Sequence, residues 1–302
     1  MKNIRMPVIF IFLAVAILAL VGSSSAQNFD NVTINTIKVA EGVYMLEGAG
    51  GNLGVSVGDD GVFLIDDQFA PLTVKIKAAI AQISDKPIRF VLNTHWHADH
   101  TGGNENVGES GALIVAHENV RKRLTTDQFV EYFNKNVPPL SNIGLPVVTF
   151  TDAVTFHLND DEIHVFHVAP AHTDGDAVIH FRKANVIHTG DILFSGGYPF
   201  IDIPNGGSVD GMISAADKIL ELADSETKLI PGHGSLSNTK EFKRHRNMMV
   251  TIRDRVKIQI DRGDSFEKII ATKPSGIFDE EFKGMIPADD FIKFIYDDLT
   301  GH

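Results

Sequence analysis

Four side chains that can bind a metal ion stand within six consecutive positions of the sequence. They are His95, His97, Asp99 and His100. The chain contains no cysteine, so any metal site has to use histidine nitrogen and carboxylate oxygen. The run directly follows a strand predicted over residues 88–92, and a loop leaving a strand can direct alternate side chains to one point. His95 and His97 would then hold one ion while Asp99 and His100 face a second, which is how a two-metal site begins.

Three further candidate ligands lie at the ends of predicted strands or in turns between them. His172 stands in a turn between two predicted strands, Asp191 follows the strand predicted over 186–188, and His233 follows the strand predicted over 228–230. Each of them alone is typical of an ordinary polar turn. Strand ends, however, can direct several side chains rigidly into one cleft. Together with the first segment, these residues predict one shared site.

The elements that must position these residues follow from hydrophobic periodicity. Alternating patterns predict strands within 36–66, at 88–92, at 112–115, within 147–189 and at 228–230, and helical patterns cover 71–83, the region from 118, 209–222 and most of the chain from 239 onward. This order is β-rich, βα, β-rich, βα, and it favours two sheets packed face to face with helices on both outer faces. No linker rich in Pro, Gly or Ser separates the halves, so residues 34–302 are predicted to form one catalytic domain.

The whole ligand pattern is similar to that of a known family. The run H-x-H-x-D-H, followed by His172, Asp191 and His233 at similar spacing, resembles the metallo-β-lactamase superfamily of hydrolases over essentially the whole chain after residue 26. The resemblance implies an α/β (α+β) protein with a four-layer αββα sandwich and a metal-dependent hydrolase activity. It also implies two zinc ions, with iron or manganese as alternative metals. One ion would be held by His95, His97 and His172, and the other by Asp99, His100 and His233. Asp191 would bridge the two ions.

The expected mechanism follows from this ligand set. Two metal ions that share a water molecule lower its pKa towards about 7 and generate hydroxide at neutral pH. The hydroxide would attack the carbonyl of an ester, thioester, lactone or amide in a small acyl substrate. Asp99 is the predicted catalytic residue, which orients the water and takes up its proton.

The subfamily, and with it the substrate, stays open. Asp191 at the bridging position is similar to the glyoxalase-II-like and lactonase-like branches, whereas true β-lactamases of the superfamily lack this aspartate. Three residues later stands Phe194, where homoserine-lactone hydrolases carry tyrosine. The alternatives are a β-lactamase, with lactam hydrolysis as a native or promiscuous activity, and an iron-dependent oxidoreductase similar to persulfide dioxygenases.

Two segments have the composition of pocket walls. Residues 194–201 mix glycine with aromatic residues, and Phe194, Tyr198 and Phe200 are predicted to contact substrate. Residues 129–148, which contain further aromatic residues and three prolines, are a candidate second wall.

The beginning of the chain is typical of an export signal. Lys2 and Arg5 precede an uncharged apolar run over 8–21 and a series of small residues that ends at Ala26. The run of about 14 residues is shorter than the roughly 20 that a membrane-spanning helix needs. Residues 1–26 are therefore predicted to be a cleaved signal peptide, and the mature protein is expected in the periplasm or outside the cell, with no stable membrane span.

The charge of the chain argues against one class of partner. Lys and Arg number 27 against 39 Asp and Glu, which gives a net charge of −12. Removal of residues 1–26 takes away two of the basic residues and no acidic one. Nucleic-acid binding depends largely on Lys and Arg, so RNA and DNA are disfavoured as partners. The sequence leaves the oligomeric state open.

Overall fold

A computed structural model describes residues 28–168 and 170–301. The predicted signal peptide, residues 1–26, lies outside these residues. Within the described ranges, every helix is too short or too polar to cross a membrane.

Seven strands form the first sheet. Their bounds are β1 Asn35–Ala40, β2 Val43–Glu47, β3 Leu53–Gly58, β4 Gly61–Ile65, β5 Ile88–Leu92, β6 Leu113–His117 and β9 Val148–Phe150. They lie side by side in that order. The strands from β1 to β4 pair antiparallel, and those from β4 through β5 and β6 to β9 pair parallel. Parallel pairing brings the carboxyl ends of β4 and β5 to the same edge of the sheet.

Six strands form the second sheet. Their bounds are β10 Ala153–Leu158, β11 Asp161–His167, β12 Ala177–Phe181, β13 Val186–His188, β14 Lys228–Ile230 and β15 Ser237–Asn238. Strands β10 to β13 pair antiparallel, and β13 pairs parallel with β14. A separate hairpin of β7 Gln128–Val130 and β8 Lys135–Val137 lies inside the segment predicted only as a pocket wall.

Eight α-helices complete the described part of the chain. Their bounds are α1 Thr73–Ile80, α2 Ala98–Thr101, α3 Asn104–Gly108, α4 Glu118–Leu124, α5 Val209–Leu222, α6 Thr239–Asp261, α7 Phe266–Ala271 and α8 Ala288–Thr300. Polar side chains begin several of them: Ser208 and Asn238 each accept a hydrogen bond from a backbone N–H of the first helical turn. The predicted helix over 209–222 is confirmed at both ends.

The strands and helices stack in four layers. In β4, Phe63 and Ile65 face the second sheet, where they join a buried cluster with Ile179 of β12. The alternate residue Leu64 faces outward and packs in a cluster with Ile76 of α1. On the other side of the molecule, helices α5, α6 and α8 share a third cluster with the outer face of the second sheet. The predicted αββα sandwich is confirmed.

Both sheets end at one common edge, where hydrogen bonds join them. The Thr94 carbonyl, just after β5, accepts from the Ala177 N–H of β12 at 2.8 Å. The Asn52 side chain, in the loop after β2, donates to the carbonyls of Pro231 and Gly234 at 3.0 and 2.8 Å. The loops that carry the predicted ligands all leave from this edge.

Candidate metal centre

The structure brings the seven predicted ligands together in two adjacent groups. The first group contains His95, His97, His172 and Asp191, and the second contains Asp99, His100 and His233. Within each group, one ligand atom of every residue lies within 4.8 Å of the others. The grouping of the histidines agrees with the expectation drawn from the sequence.

The Asp191 carboxylate lies between the two groups. Its Oδ2 is 3.4 Å from Nε2 of His172 in the first group and 3.4 Å from Nε2 of His233 in the second. Its Oδ1 is 3.2 Å from Nε2 of His100. One carboxylate therefore faces both groups, the arrangement required of a bridging ligand.

Hydrogen bonds on the far side of three rings select the tautomer that a metal needs. His97 Nε2 lies 2.9 Å from the Asp202 carboxylate, His172 Nδ1 lies 2.9 Å from the Phe200 carbonyl, and His100 Nδ1 lies 2.7 Å from the Asp66 carboxylate. All three partners are acceptors, so the ring nitrogen next to each of them carries the proton. In the metal-bound state the other nitrogen of each ring then presents its lone pair to the site.

The fourth buried ring follows the same rule through a hydroxyl group. The Thr94 hydroxyl donates to the Asp66 carboxylate at 2.8 Å, so it accepts from His95 Nδ1 at 3.0 Å. This leaves Nε2 of His95 unprotonated, 3.1 Å from Nδ1 of His97, which in turn lies 2.9 Å from Nε2 of His172. Three lone pairs thus converge on one point, and a cation there relieves their mutual repulsion.

Burial and charge give the cluster two kinds of histidine. Burial lowers the pKa of His95 well below its usual value and that of His172 to about 4. Burial also tends to lower the pKa of His100 and His233, but the carboxylates of Asp191 and Asp99 outweigh this effect. They raise the pKa of His100 well above its usual value and that of His233 to about 9. The two groups therefore differ in the protons they carry at neutral pH.

This difference predicts proton release on metal binding. His233 carries a proton at pH 7.5 in the metal-free protein, because its pKa is about 9, and the nearby carboxylates of Asp191 and Asp99 raise the pKa of His100 in the same direction. A metal ion requires both rings unprotonated, so we expect loading of the second group to release at least one proton per chain. Calorimetric titration of the metal in buffers of different ionisation enthalpy measures this number. Release of none would contradict the assignment of these two residues as ligands.

The residues present fit a pair of metal ions. The buried Asp191 Oδ1 receives no hydrogen bond from any residue in the described ranges. An unsatisfied buried carboxylate oxygen is costly unless a cation or a donor faces it. The donor set of imidazole nitrogen and carboxylate oxygen suits zinc, iron or manganese.

Two glycines allow the backbone to approach these ligands closely. A Cβ on Gly51 would stand 2.0 Å from Cε1 of His100, and a Cβ on Gly232 would stand 2.0 Å from Oδ1 of Asp191. Both distances are far below any real contact, so a side chain at either position would displace a ligand. The glycine-rich loop after β2 is therefore part of the wall of the site.

Two residues that support the ligands were missed by sequence reasoning. Asp66 follows β4, whose neighbour β5 runs parallel to it and leads into the histidine run, so strand order could have placed it at the same edge. Asp202 contacts His97 across 105 positions and had no such signal. Its carboxylate is held in turn by the Asn205 side chain, which donates to both Asp202 oxygens at 3.0 and 2.9 Å.

A cleft of about 340 Å³ opens onto the cluster and contains two of the three predicted substrate contacts. Phe194 and Phe200 line it. Tyr198 is outside the lining: its hydroxyl donates to Asp279 Oδ1 at 2.7 Å and its ring stacks on Phe291 of α8. Gly196, with a φ of 79°, turns the chain between Phe194 and Tyr198. Tyr198 therefore packs against the C-terminal helices, outside the lining of the cleft where Phe194 and Phe200 lie.

Comparisons with known proteins agree with this geometry. The family model of the metallo-beta-lactamase superfamily matches residues 48–233. A hydroxyacylglutathione hydrolase of Pelagibacter ubique is 28% identical over 208 residues, which cover 68% of this chain and 76% of that protein. The hydroxyacylglutathione hydrolase GloC of Haemophilus influenzae is 27% identical over 161 residues, 53% of this chain and 75% of that protein.

Two solved structures show the same fold. The DIM-1 metallo-beta-lactamase superimposes with a TM-score of 0.57 at 20% identity and covers 73% of this chain and 99% of its own. The sec-alkylsulfatase Pisa1 from Pseudomonas sp. superimposes with a TM-score of 0.66 at 17% identity and covers 87% of this chain and 50% of its own. The match to the family model, the four-layer fold and the paired ligand groups lead to one conclusion: the chain belongs to the metallo-beta-lactamase superfamily and is a metal-dependent hydrolase.

Proposed function

We propose that the protein is a two-zinc hydrolase that cleaves an ester, thioester, lactone or amide bond of a small acyl substrate. The observation that carries this proposal is the Asp191 carboxylate, which faces both ligand groups at 3.2 to 3.4 Å. In the proposal, His95, His97 and His172 hold one ion, Asp99, His100 and His233 hold the other, and Asp191 is shared. Bound together, two such ions lower the pKa of a shared water and polarise the substrate carbonyl.

Asp99 has the position of the proton acceptor in this reaction. It lines the cleft, and its side chain is 29% exposed, whereas that of Asp191 is 4% exposed. Its Oδ2 lies 3.3 Å from Nε2 of His233 and 3.6 Å from Nε2 of His100. These rings outweigh the effect of burial and hold the pKa of the Asp99 carboxyl below its usual range, so it is deprotonated and able to accept a hydrogen bond from water at neutral pH.

Thioesters are the first substrate class to test. Two of the relatives described above are hydroxyacylglutathione hydrolases, enzymes whose names specify a glutathione thioester. The apolar walls of the cleft suit the carbon chain of an acyl group.

A matched panel tests the proposal. Zinc-loaded protein that begins at Gln27 is assayed with a glutathione thioester, an acyl-homoserine lactone, an aryl ester and a cephalosporin, each with and without a chelator. We expect chelator-sensitive hydrolysis with the highest kcat/KM on one acyl class, because the ions activate the water. If metal-replete protein hydrolyses none of the four, the proposal is overturned for these classes. Iron analysis and oxygen uptake would then test the oxygenase alternative.

A further inference from the structure

The hairpin of β7 and β8 covers one side of the cleft and presents a single face to it. Val130 of β7 pairs with Lys135 of β8, and Val137 follows two positions later. Side chains two apart in a strand share a face, and so do those of directly paired residues. All three residues line the cleft. The hairpin therefore directs one ammonium group, between two valines, towards the substrate.

Lys135 is the one polar residue in this lining that does not belong to the metal cluster. The other polar side chains of the cleft, His97, Asp99, Asp191 and His233, all belong to the metal cluster. The remaining walls are alanine, valine, methionine and phenylalanine, with rings from Phe69, Phe133, Phe194 and Phe200. Apart from the metal cluster, a substrate in the described lining would therefore meet apolar surface and one positive charge.

The Lys135 ammonium has no anionic partner among the residues of the described ranges. Its contact there is with an aromatic ring: Nζ lies 5.5 Å from the centroid of Phe69. The same ring reaches the reacting end of the cleft, since a Cβ on Gly50 would lie 3.2 Å from Cε2 of Phe69 and 3.1 Å from Cβ of Asp99. One phenyl ring therefore connects the free charge with the loop that carries Asp99.

We infer that the substrate is an amphipathic acyl compound, whose apolar segment packs against the phenylalanine walls and whose remote carboxylate pairs with Lys135. The inference rests on the proposed hydrolase function and names the substrate class of the same site. The chain has a net charge of −12, which disfavours the approach of anions in general, and Lys135 supplies a local positive charge away from the metal cluster. Lys135 is exposed and its ammonium contacts the ring of Phe69, so the pairing has the modest strength of a surface ion pair, up to about 1 kcal/mol.

The test uses two esters that differ only in charge. They are the 4-nitrophenyl monoester of suberic acid, which carries a free carboxylate, and its methyl ester. Hydrolysis of either forms the new acyl C–O bond from water and releases 4-nitrophenol. We expect wild-type protein to prefer the acid in kcat/KM, and Lys135→Met to reduce the acid-to-methyl-ester ratio about fivefold, or about 1 kcal/mol. Lys135→Glu should reverse the preference. The wild-type ratio should also fall at about 1 M salt, where the Debye length is about 3 Å.

Lys86→Met is the matched control, because Lys86 is an exposed lysine that does not line the cleft. It should leave the ratio unchanged. If Lys135→Met has the wild-type ratio, the inference is overturned while the hydrolase function stands. The same unchanged ratio would result if the remote carboxylate of the substrate bound a metal ion and did not pair with Lys135. If the metal-loaded wild type hydrolyses neither ester nor any member of the earlier panel, the proposed function itself fails.

A binding measurement tests the role of Lys135 independently of catalysis. Octanoate has the apolar chain and the carboxylate but no bond to cleave, and octanol is its neutral counterpart. Calorimetry on the metal-free protein, in which no ion can bind the carboxylate, should give tighter binding of octanoate than of octanol, and the advantage should be lost in Lys135→Met. Equal affinity of the metal-free wild type for the two ligands would contradict the inference.

Discussion

Replacement of Asp191 by alanine should lower kcat/KM by about 10³-fold and reduce the metal content from the proposed two ions per chain to at most one. The side chain is almost fully buried between the two groups, and no neighbouring carboxylate can take its place facing both. Changes to residues that merely support metal ligands cost about 10- to 100-fold in affinity or activity, and loss of a shared ligand should exceed this. Metal analysis by mass spectrometry and steady-state kinetics on the best substrate of the panel provide the two measurements.

Two variants accompany this experiment. Asp191→Asn keeps the size of the side chain but removes its charge, so it should resemble the alanine variant in metal content. Asp85→Ala removes an exposed carboxylate outside the cluster and should leave both measurements unchanged. If Asp191→Ala keeps two ions and a rate within tenfold of the wild type, Asp191 does not bridge the ions.

Replacement of Asp99 by alanine should lower kcat by about 10²-fold or more, the usual contribution of a positioned acid or base. In the proposed mechanism the carboxylate acts on the water and not on the substrate, so the effect should appear in kcat more than in KM. Rates are to be compared at full metal occupancy, measured on the same samples, since Asp99 also stands among the ligands of the second group.

The corresponding asparagine variant separates the two roles of Asp99. Asp99→Asn retains an oxygen that can bind metal but cannot accept a proton, so it should keep more metal than Asp99→Ala and remain equally slow. Near-normal turnover of Asp99→Ala with both ions bound would show that another group takes the proton.

Local patterns in the sequence predicted the fold well where one face of an element is apolar. The helix over 209–222 and the strands over 88–92, 186–188 and 228–230 agree with the structure at both ends. The helix has a clear hydrophobic period and the strands are short, mainly apolar runs, so local preference and tertiary packing agree. The dense histidine run was recognisable because its chemistry is concentrated in six adjacent positions.

Contacts between distant segments had no comparable signal. The β7–β8 hairpin consists of two strands of three residues with mixed polarity, too short for a period to be detected. The position of Lys135 in the cleft follows only once this hairpin exists. Asp202 reaches His97, and Tyr198 reaches Asp279, across 105 and 81 positions. Aromatic composition alone could not separate Phe200, which faces the cleft, from Tyr198, which faces the helices.

The supply of ligands from both sheets links metal binding to folding. His100 follows β5 of the first sheet and His233 follows β14 of the second, 133 positions later. Neither sheet alone carries a complete set, so ions bind the assembled chain and not its halves. An ion that binds only the folded state adds about 4 kcal/mol to its stability at a free concentration 1,000 times its dissociation constant. In the proposed two-metal form, the ions therefore act as a reversible cross-link that closes a long loop of the chain. They stabilise the packing of the two sheets after the sheets have come together.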